Sequence, residues 1–182
     1  MINQKNTDSY KIAIIGAGPA GVAAVGKFIS SSNARPSILW IDPKFRGGRL
    51  ERFDNVPSNT KVALFCKFAN DGWPEARILK DLRSMDQAKE CRLWYAAELV
   101  RELSEFDLDN VGKVVGCVEE VERSGDFWIL KTMDNGKFSA KNVIFATGAH
   151  PRSPPNNRIR VSSIDPELLL TAETIPPGAD SC

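Results

Sequence analysis

The residues best spaced for chemistry are Gly16, Ala17, Gly18, Pro19, Ala20 and Gly21, a GxGxxG run. Such a run binds phosphate when it joins a strand to a helix. The first glycine permits a tight turn, and the second lets the backbone approach a pyrophosphate. The third lets the helix pack close to the sheet. The helix start then supplies unpaired N–H groups and the positive end of its dipole. Asp42 follows Gly21 by twenty-one residues, at the end of a second apolar run. A carboxylate there can accept both hydroxyls of an adenosine ribose, and it disfavours a 2′-phosphate, so NADP is not expected in this site. The pattern predicts a dinucleotide site and leaves NAD and FAD open as its ligand.

Those residues need a strand, a helix and a second strand to position them, and the flanking sequence supplies all three. Lys11 to Ile15 reads as a short buried strand, and Pro19 to about Ile29 as a helix of small residues. Ser37 to Ile41 reads as a second buried strand that ends at Asp42-Pro43. Continuous apolar strands around a helix predict a βαβ unit in a parallel sheet covered on both faces. Arg46 to Asn70 reads as irregular, with Gly47-Gly48 and Val56-Pro57. Pro74 opens a helical region with Ile78, Leu82 and Met85 on one face, continued by Leu93, Trp94, Ala97, Val100 and Leu103.

From Lys113 the apolar period changes to two. Val114–Val121, Phe127–Thr132 and Phe138–Ala140 read as a three-strand meander turned at Ser124-Gly125 and Asn135-Gly136. The second turn carries the type I′ signal. Val143 to Ala146 reads as another buried strand running into Thr147-Gly148. After His150 the chain is Pro-rich, with helical character only at Pro166–Ala172.

In this order the features resemble the flavoprotein superfamily with two dinucleotide-binding domains, which includes disulfide reductases and flavin monooxygenases. Three places beyond the glycine run carry the resemblance. One is Gly47-Gly48-Arg49-Leu50, like the family's loop along the FAD pyrophosphate. Another is the meander, whose first strand would bring Cys117 to Glu119, with Val118 at the centre, near the adenine. The last is Val143-Ile144-Phe145-Ala146-Thr147-Gly148, like the family's ATG segment beside the cofactor. The resemblance implies an α/β fold: a Rossmann-like FAD-binding domain with a parallel sheet, a helical insertion and an antiparallel β-meander. It implies FAD at Gly16–Gly21, Asp42, Pro43, Gly48, Arg49, Leu50, Val118, Ala146, Thr147 and Gly148. It also implies that Asn59, Thr60 and Trp73 approach the flavin, and that NAD(P)H is the reductant. The expected organisation is a tail over 1–10, the FAD-binding domain over 11–150 and a lead-in over 151–182. Residues 151–182 hold no second GxGxxG. The sequence therefore reads as the N-terminal FAD-binding part of an oxidoreductase. The alternatives are a non-catalytic FAD-, ADP- or NAD-binding module, an inactive truncated flavoprotein, or a site completed by a partner chain or a second copy.

Catalytic candidates are few. His150, the single histidine, could serve as donor or proton relay near the cofactor, and an idle loop residue is the simpler reading. Cys66 could be a redox thiol, but its setting Ala63-Leu64-Phe65 predicts a buried structural one. Arg49 and Arg52 could pair with a pyrophosphate or a substrate carboxylate. Asp107 to Gly112 opens like a calcium loop, yet Val111 and Val118 stand where oxygen ligands are required. The four cysteines have no CxxC spacing, so neither a zinc site nor a dithiol mechanism is expected and no metal is assigned. Their scatter suggests a reducing, cytoplasmic setting. Charges nearly cancel, with 24 basic and 23 acidic residues, which argues against a nucleic-acid partner. No apolar run is long enough to span a bilayer.

Overall fold

A computed structural model describes residues 9–31, 36–53, 55–73 and 76–149. Apolar runs of period two or less build its central sheet. Strand β1 (Ser9–Ile15) lies between β2 (Ile38–Asp42) and β8 (Lys137–Phe145), parallel to both. β5 (Val111–Val115) extends the parallel sheet beyond β2. β6 (Val118–Ser124) and β7 (Phe127–Thr132) complete the order β5-β2-β1-β8-β7-β6. β7 pairs antiparallel with Lys137–Ala140 at the start of β8. The single long strand β8 thus belongs to the meander first and to the parallel sheet afterwards.

Successive strand side chains point to opposite faces. Ile12, Ile14, Ile38 and Trp40 therefore look one way, and Ala13, Ile15, Leu39 and Ile41 the other. The first set is buried with the helices, including Val22 and Val25 of α1 (Pro19–Ser30). The second set is buried against Leu130 and Ala140, with Val118, Val121 and Phe138 packed around them. The meander thereby covers the face that the helices leave open, which is why β2 is buried at all five positions.

Between β2 and β5 the chain is more ordered than the sequence predicts. Residues 46–70 are not irregular: they hold a 3-10 turn at Gly48–Arg52, strand β3 (Pro57–Lys61) and helix α2 (Val62–Asn70). β3 escapes notice because its sequence, PSNTK, has no apolar alternation. It is held instead by pairing with β4 (Glu90–Arg92). The same pairing splits the expected helical region into α3 (Ile78–Ser84) and α4 (Leu93–Glu105).

Three further expectations change. Val114–Val121 is not one strand but two, because Gly116-Cys117 carries the chain from the parallel sheet into the meander. The Asn135-Gly136 turn is not type I′: only Asn135 takes positive φ, at 64°, within a loop over 133–136. Finally, the end of β8 is half-buried rather than buried, with Phe145 64% exposed. Beyond Ala140 it pairs with β1 alone among the described residues.

α4 is tied to the sheet at its end. Lys113 pairs in register with Trp40, and its Nζ donates to the Phe106 carbonyl at 2.5 Å. The ammonium lies 5.9 Å from the Trp40 and Phe45 rings, and burial lowers its pKa. The close carbonyl and the two aromatic faces offset part of the desolvation cost.

The packing of the meander on the sheet is tested by Leu130→Ala. Leu130 is fully buried between the two layers. Its truncation is expected to cost about 2–5 kcal/mol of stability in a denaturant titration. Leu64→Ala, at a position 56% exposed on α2, is expected to stay within about 0.5 kcal/mol.

Candidate functional site

The glycine run lies at the carboxyl end of β1, flanked by the ends of β2 and β8. The Gly16 N–H donates to the Ile41 carbonyl at 2.8 Å, and the Ala146 N–H donates to the Ile15 carbonyl at 2.8 Å. Gly16 has φ +108°, and a Cβ there would stand 2.4 Å from the Ala146 carbonyl oxygen. A side chain at this point would strain the turn and also push β8 away. Gly21 makes the second close approach. A Cβ there would lie 1.9 Å from the Gly16 oxygen, so α1 can start directly over the loop.

The first ladder bond of α1 runs from the Val22 N–H to the Gly18 carbonyl, at 3.0 Å. The N–H groups of Ala20 and Gly21 precede it, and Pro19 has none to offer. This is the arrangement in which a helix start binds an anion. Gly18 itself has ordinary extended backbone, φ −75° and ψ −174°. Its nearest neighbour is the Gly47-Gly48 loop, for a Cβ on Gly48 would stand 3.1 Å from the Gly18 Cα. Arg49 then reaches from that loop to the Ala149 carbonyl, Nη1 donating at 3.4 Å. Three segments predicted separately, 16–21, 47–49 and 146–149, therefore converge. Thr147 and Gly148 are exposed beside them, while Leu50 is half-buried against the helical core.

Asp42 is 9% exposed. Its Oδ2 accepts the Ala17 N–H at 2.7 Å. Its Oδ1 accepts the N–H groups of Lys44 at 2.8 Å and Phe45 at 2.7 Å. These bonds hold a turn in which Phe45 takes φ 51°, unusual for a bulky residue. A carboxylate has about four acceptor positions. Three are occupied, and the remaining one lies on Oδ2. Asp42 can thus offer an incoming ribose one strong acceptor position while it builds the loop.

The β5–β6 connection closes the same corner. The Gly116 N–H donates to the Asp42 backbone carbonyl at 3.1 Å, and the Met133 N–H donates to the Cys117 carbonyl at 3.0 Å. Val115 and Met133 are 69% and 64% exposed. Cys117 is exposed as well, and Val115 pairs in register with Asp42, so this apolar connection borders the acid. Val118 packs instead against the sheet–meander core. Pro43 is exposed at the strand end.

Other sequence candidates lie on other elements. Asn59 and Thr60 lie on β3, where the Thr60 N–H donates to Ser58 Oγ at 2.8 Å and Thr60 Oγ1 donates to Asn59 Oδ1 at 3.3 Å. No hydrogen bond joins either to the glycine loop among the described residues. Trp73 packs on Trp40, ring centroids 6.3 Å apart, inside the helical core. His150 lies outside the described residues. Arg46, Glu51, Trp94, Glu98, Arg101 and Glu105 line a cavity of about 370 Å³ on α4 that shares no residue with the glycine run. Among the described residues no cluster suits a metal ion, and no helix is long and apolar enough to cross a membrane.

One residue bonded to the glycine loop escapes sequence reasoning. Trp40 is fully buried, and its indole N–H donates to the Gly16 carbonyl at 2.9 Å. The available signal was an aromatic donor two residues before the acid, on the same strand face.

Cys66 sits on α2 in the helical core at 7% exposure. Burial pushes its thiol up, against the opposing charge of Arg83. Cys91 is also raised by burial. A thiol held protonated is a poor nucleophile. Iodoacetamide is therefore expected to label Cys117 well before Cys66 in the native protein, as read by peptide mass spectrometry; equal rates would contradict the burial of Cys66.

Comparison with known proteins agrees with this geometry. Residues 10–164 match the family described as pyridine nucleotide-disulphide oxidoreductase. A curated relative, Monooxygenase AgnR1 of Paecilomyces divaricatus, is 31% identical over 178 residues, covering 86% of this chain and 45% of the relative. The chain thus spans less than half the length of that relative. A flavin-containing monooxygenase from Stenotrophomonas maltophilia has a similar fold, with TM-score 0.55 at 21% identity over 80% of this chain and 42% of that one. Lactococcus lactis thioredoxin reductase gives 0.52 at 22% identity, over 79% and 37%. The sheet, the glycine loop and the family match lead to one assignment: this chain belongs to the pyridine nucleotide-disulphide oxidoreductase family.

Proposed function

We propose that the chain is the FAD-binding part of a flavin oxidoreductase that draws hydride from NAD(P)H. The observation that carries this reading is the convergence of the glycine loop, Asp42 and Gly48 around a helix start whose first N–H groups lie outside the ladder. The pyrophosphate of FAD would take the Ala20 and Gly21 N–H groups, with no side chain on Gly16, Gly18 or Gly48 to obstruct it. The ribose would use the open position on Asp42 Oδ2. The adenine would lie against Val115, Cys117 and Met133, and Arg49, Thr147 and Gly148 would flank the path toward the flavin. When bound, the flavin accepts hydride from a reduced nicotinamide and delivers electrons to oxygen or an organic acceptor. The protein's own residues bind and orient it.

These 182 residues carry no CxxC pair, so this part of the protein supplies no dithiol of its own. The monooxygenase relative supports an oxygen-linked reaction. A second reading, a module that grips ADP without turnover, is favoured by one fact: the helix start and Asp42, the most fully built parts of the site, suit the ADP half. A reducing cytoplasmic setting fits the free thiols.

The test is a visible absorption spectrum of the purified chain with added FAD, paired with ADP titration by calorimetry. A retained flavin spectrum that bleaches with NADH or NADPH supports the oxidoreductase. ADP binding without retained flavin supports the module. No binding of either ligand rejects both.

Two variants sharpen the result. Gly18→Asp adds a Cβ that meets nothing closer than 3.8 Å. Aspartate at a helix N-cap also stabilises the helix. Thermal stability is therefore expected to hold or rise while ADP affinity falls more than about tenfold by repulsion and competition for the N–H groups. Unchanged ADP affinity would remove the pyrophosphate from this loop. In addition, saturating ADP is expected to slow alkylation of Cys117 and leave Cys66 unaffected, as read peptide by peptide. Unprotected Cys117 would move the adenine off the β5–β6 connection.

A further inference from the structure

The Gly16 carbonyl and the Ala17 N–H belong to one peptide unit, and side chains of β2 hold it at both ends. Trp40 Nε1 donates to the carbonyl at 2.9 Å, and the N–H donates to Asp42 Oδ2 at 2.7 Å. Both bonds are buried. Trp40 and Asp42 are two residues apart on one strand, so both face this peptide. Trp40 is itself immobilised. It is fully buried, with the Phe45 ring edge-on at 5.2 Å and the Trp73 ring at 6.3 Å.

We propose that Trp40 is a positioning residue for the phosphate loop, acting with Asp42 to lock the Gly16–Ala17 peptide plane. The lock is needed because the residue before it is a glycine. Gly16 at φ +108° has little steric preference of its own, and its peptide would otherwise rotate. The clamp keeps the Gly16 oxygen under the first turn of α1, 1.9 Å from where a Cβ of Gly21 would stand. A rotated peptide would carry that oxygen, with its negative charge, out from beneath the turn that receives the anion. Trp40 therefore acts mainly on recognition of the phosphates, and it reaches the nucleoside only through the Ala17–Asp42 bond. This inference rests on the dinucleotide reading of the site.

Trp40→Phe keeps the aromatic packing and removes the N–H. The measurements are ADP binding by calorimetry, adenosine binding by ligand-observed NMR, and circular dichroism for the fold. Loss of one buried hydrogen bond at the loop is expected to weaken ADP about tenfold or more, with a clearly smaller loss for adenosine. Unchanged ADP affinity, or an equal loss for both ligands, overturns the proposal, since a merely structural role would not split them. A wild type that binds no ADP overturns the dinucleotide reading and the clamp with it. An arm independent of the variant is amide exchange in the wild-type chain. The Ala17 N–H is expected to exchange far more slowly than those of Ala20 and Gly21, and equal exchange also overturns the clamp.

Discussion

At Gly16 the ends of β1, β2 and β8 and the first turn of α1 meet at backbone contact distance. Two short bonds on either side, Gly16 N–H to Ile41 and Ala146 N–H to Ile15, bring the strands level. Close packing of backbone on backbone leaves space for no side chain. The rest of the site follows from this crowding. The helix begins over the loop, its free N–H groups are gathered at the strand ends, and the β8 end carries Thr147 and Gly148 beside them. Any residue larger than glycine at position 16 or 21 would separate elements that the binding geometry requires together.

The crowding needs support from both faces of the sheet. On one face, Trp40 joins α1, α2 and α4 in a single apolar cluster. On the other, the meander covers Ala13, Ile15, Leu39 and Ile41. The insertion between β2 and β5 supplies more than bulk. Ser104 Oγ of α4 donates to the Phe45 carbonyl at 2.8 Å, and Lys113 ties the end of α4 back to the sheet. Gly47 lies against α4, its would-be Cβ 3.2 Å from the Ala97 carbonyl. The insertion thus holds the turn after Asp42, and that turn places Gly48 over Gly18. Packing far from the ligand sets the position of atoms near it.

Asp42 shows how one side chain can serve both ends of this argument. Three of its acceptor positions hold the loop and the following turn, and one stays open. A carboxylate used this way stiffens the site before any ligand arrives, which lowers the ordering cost of binding.

Local pattern determined a good deal of this protein. The βαβ unit, the placement of Gly16–Gly21 and the acid at the end of β2 were legible because each depends on short-range rules of spacing and steric freedom. The meander was legible for the same reason, through its period of two. Tertiary structure alone decided the rest. β3 and β4 exist because they pair with each other, not because PSNTK favours a strand. The break at Gly116-Cys117 exists because β5 and β6 serve different layers. The Asn135-Gly136 turn took a longer form because Thr132 and Gly136 close it with their own hydrogen bond. Trp40 could be read only as a buried aromatic, since its donor role depends on a carbonyl twenty-four residues away. Sequence specifies what a segment can adopt locally; which distant atoms a side chain meets is decided when the layers pack.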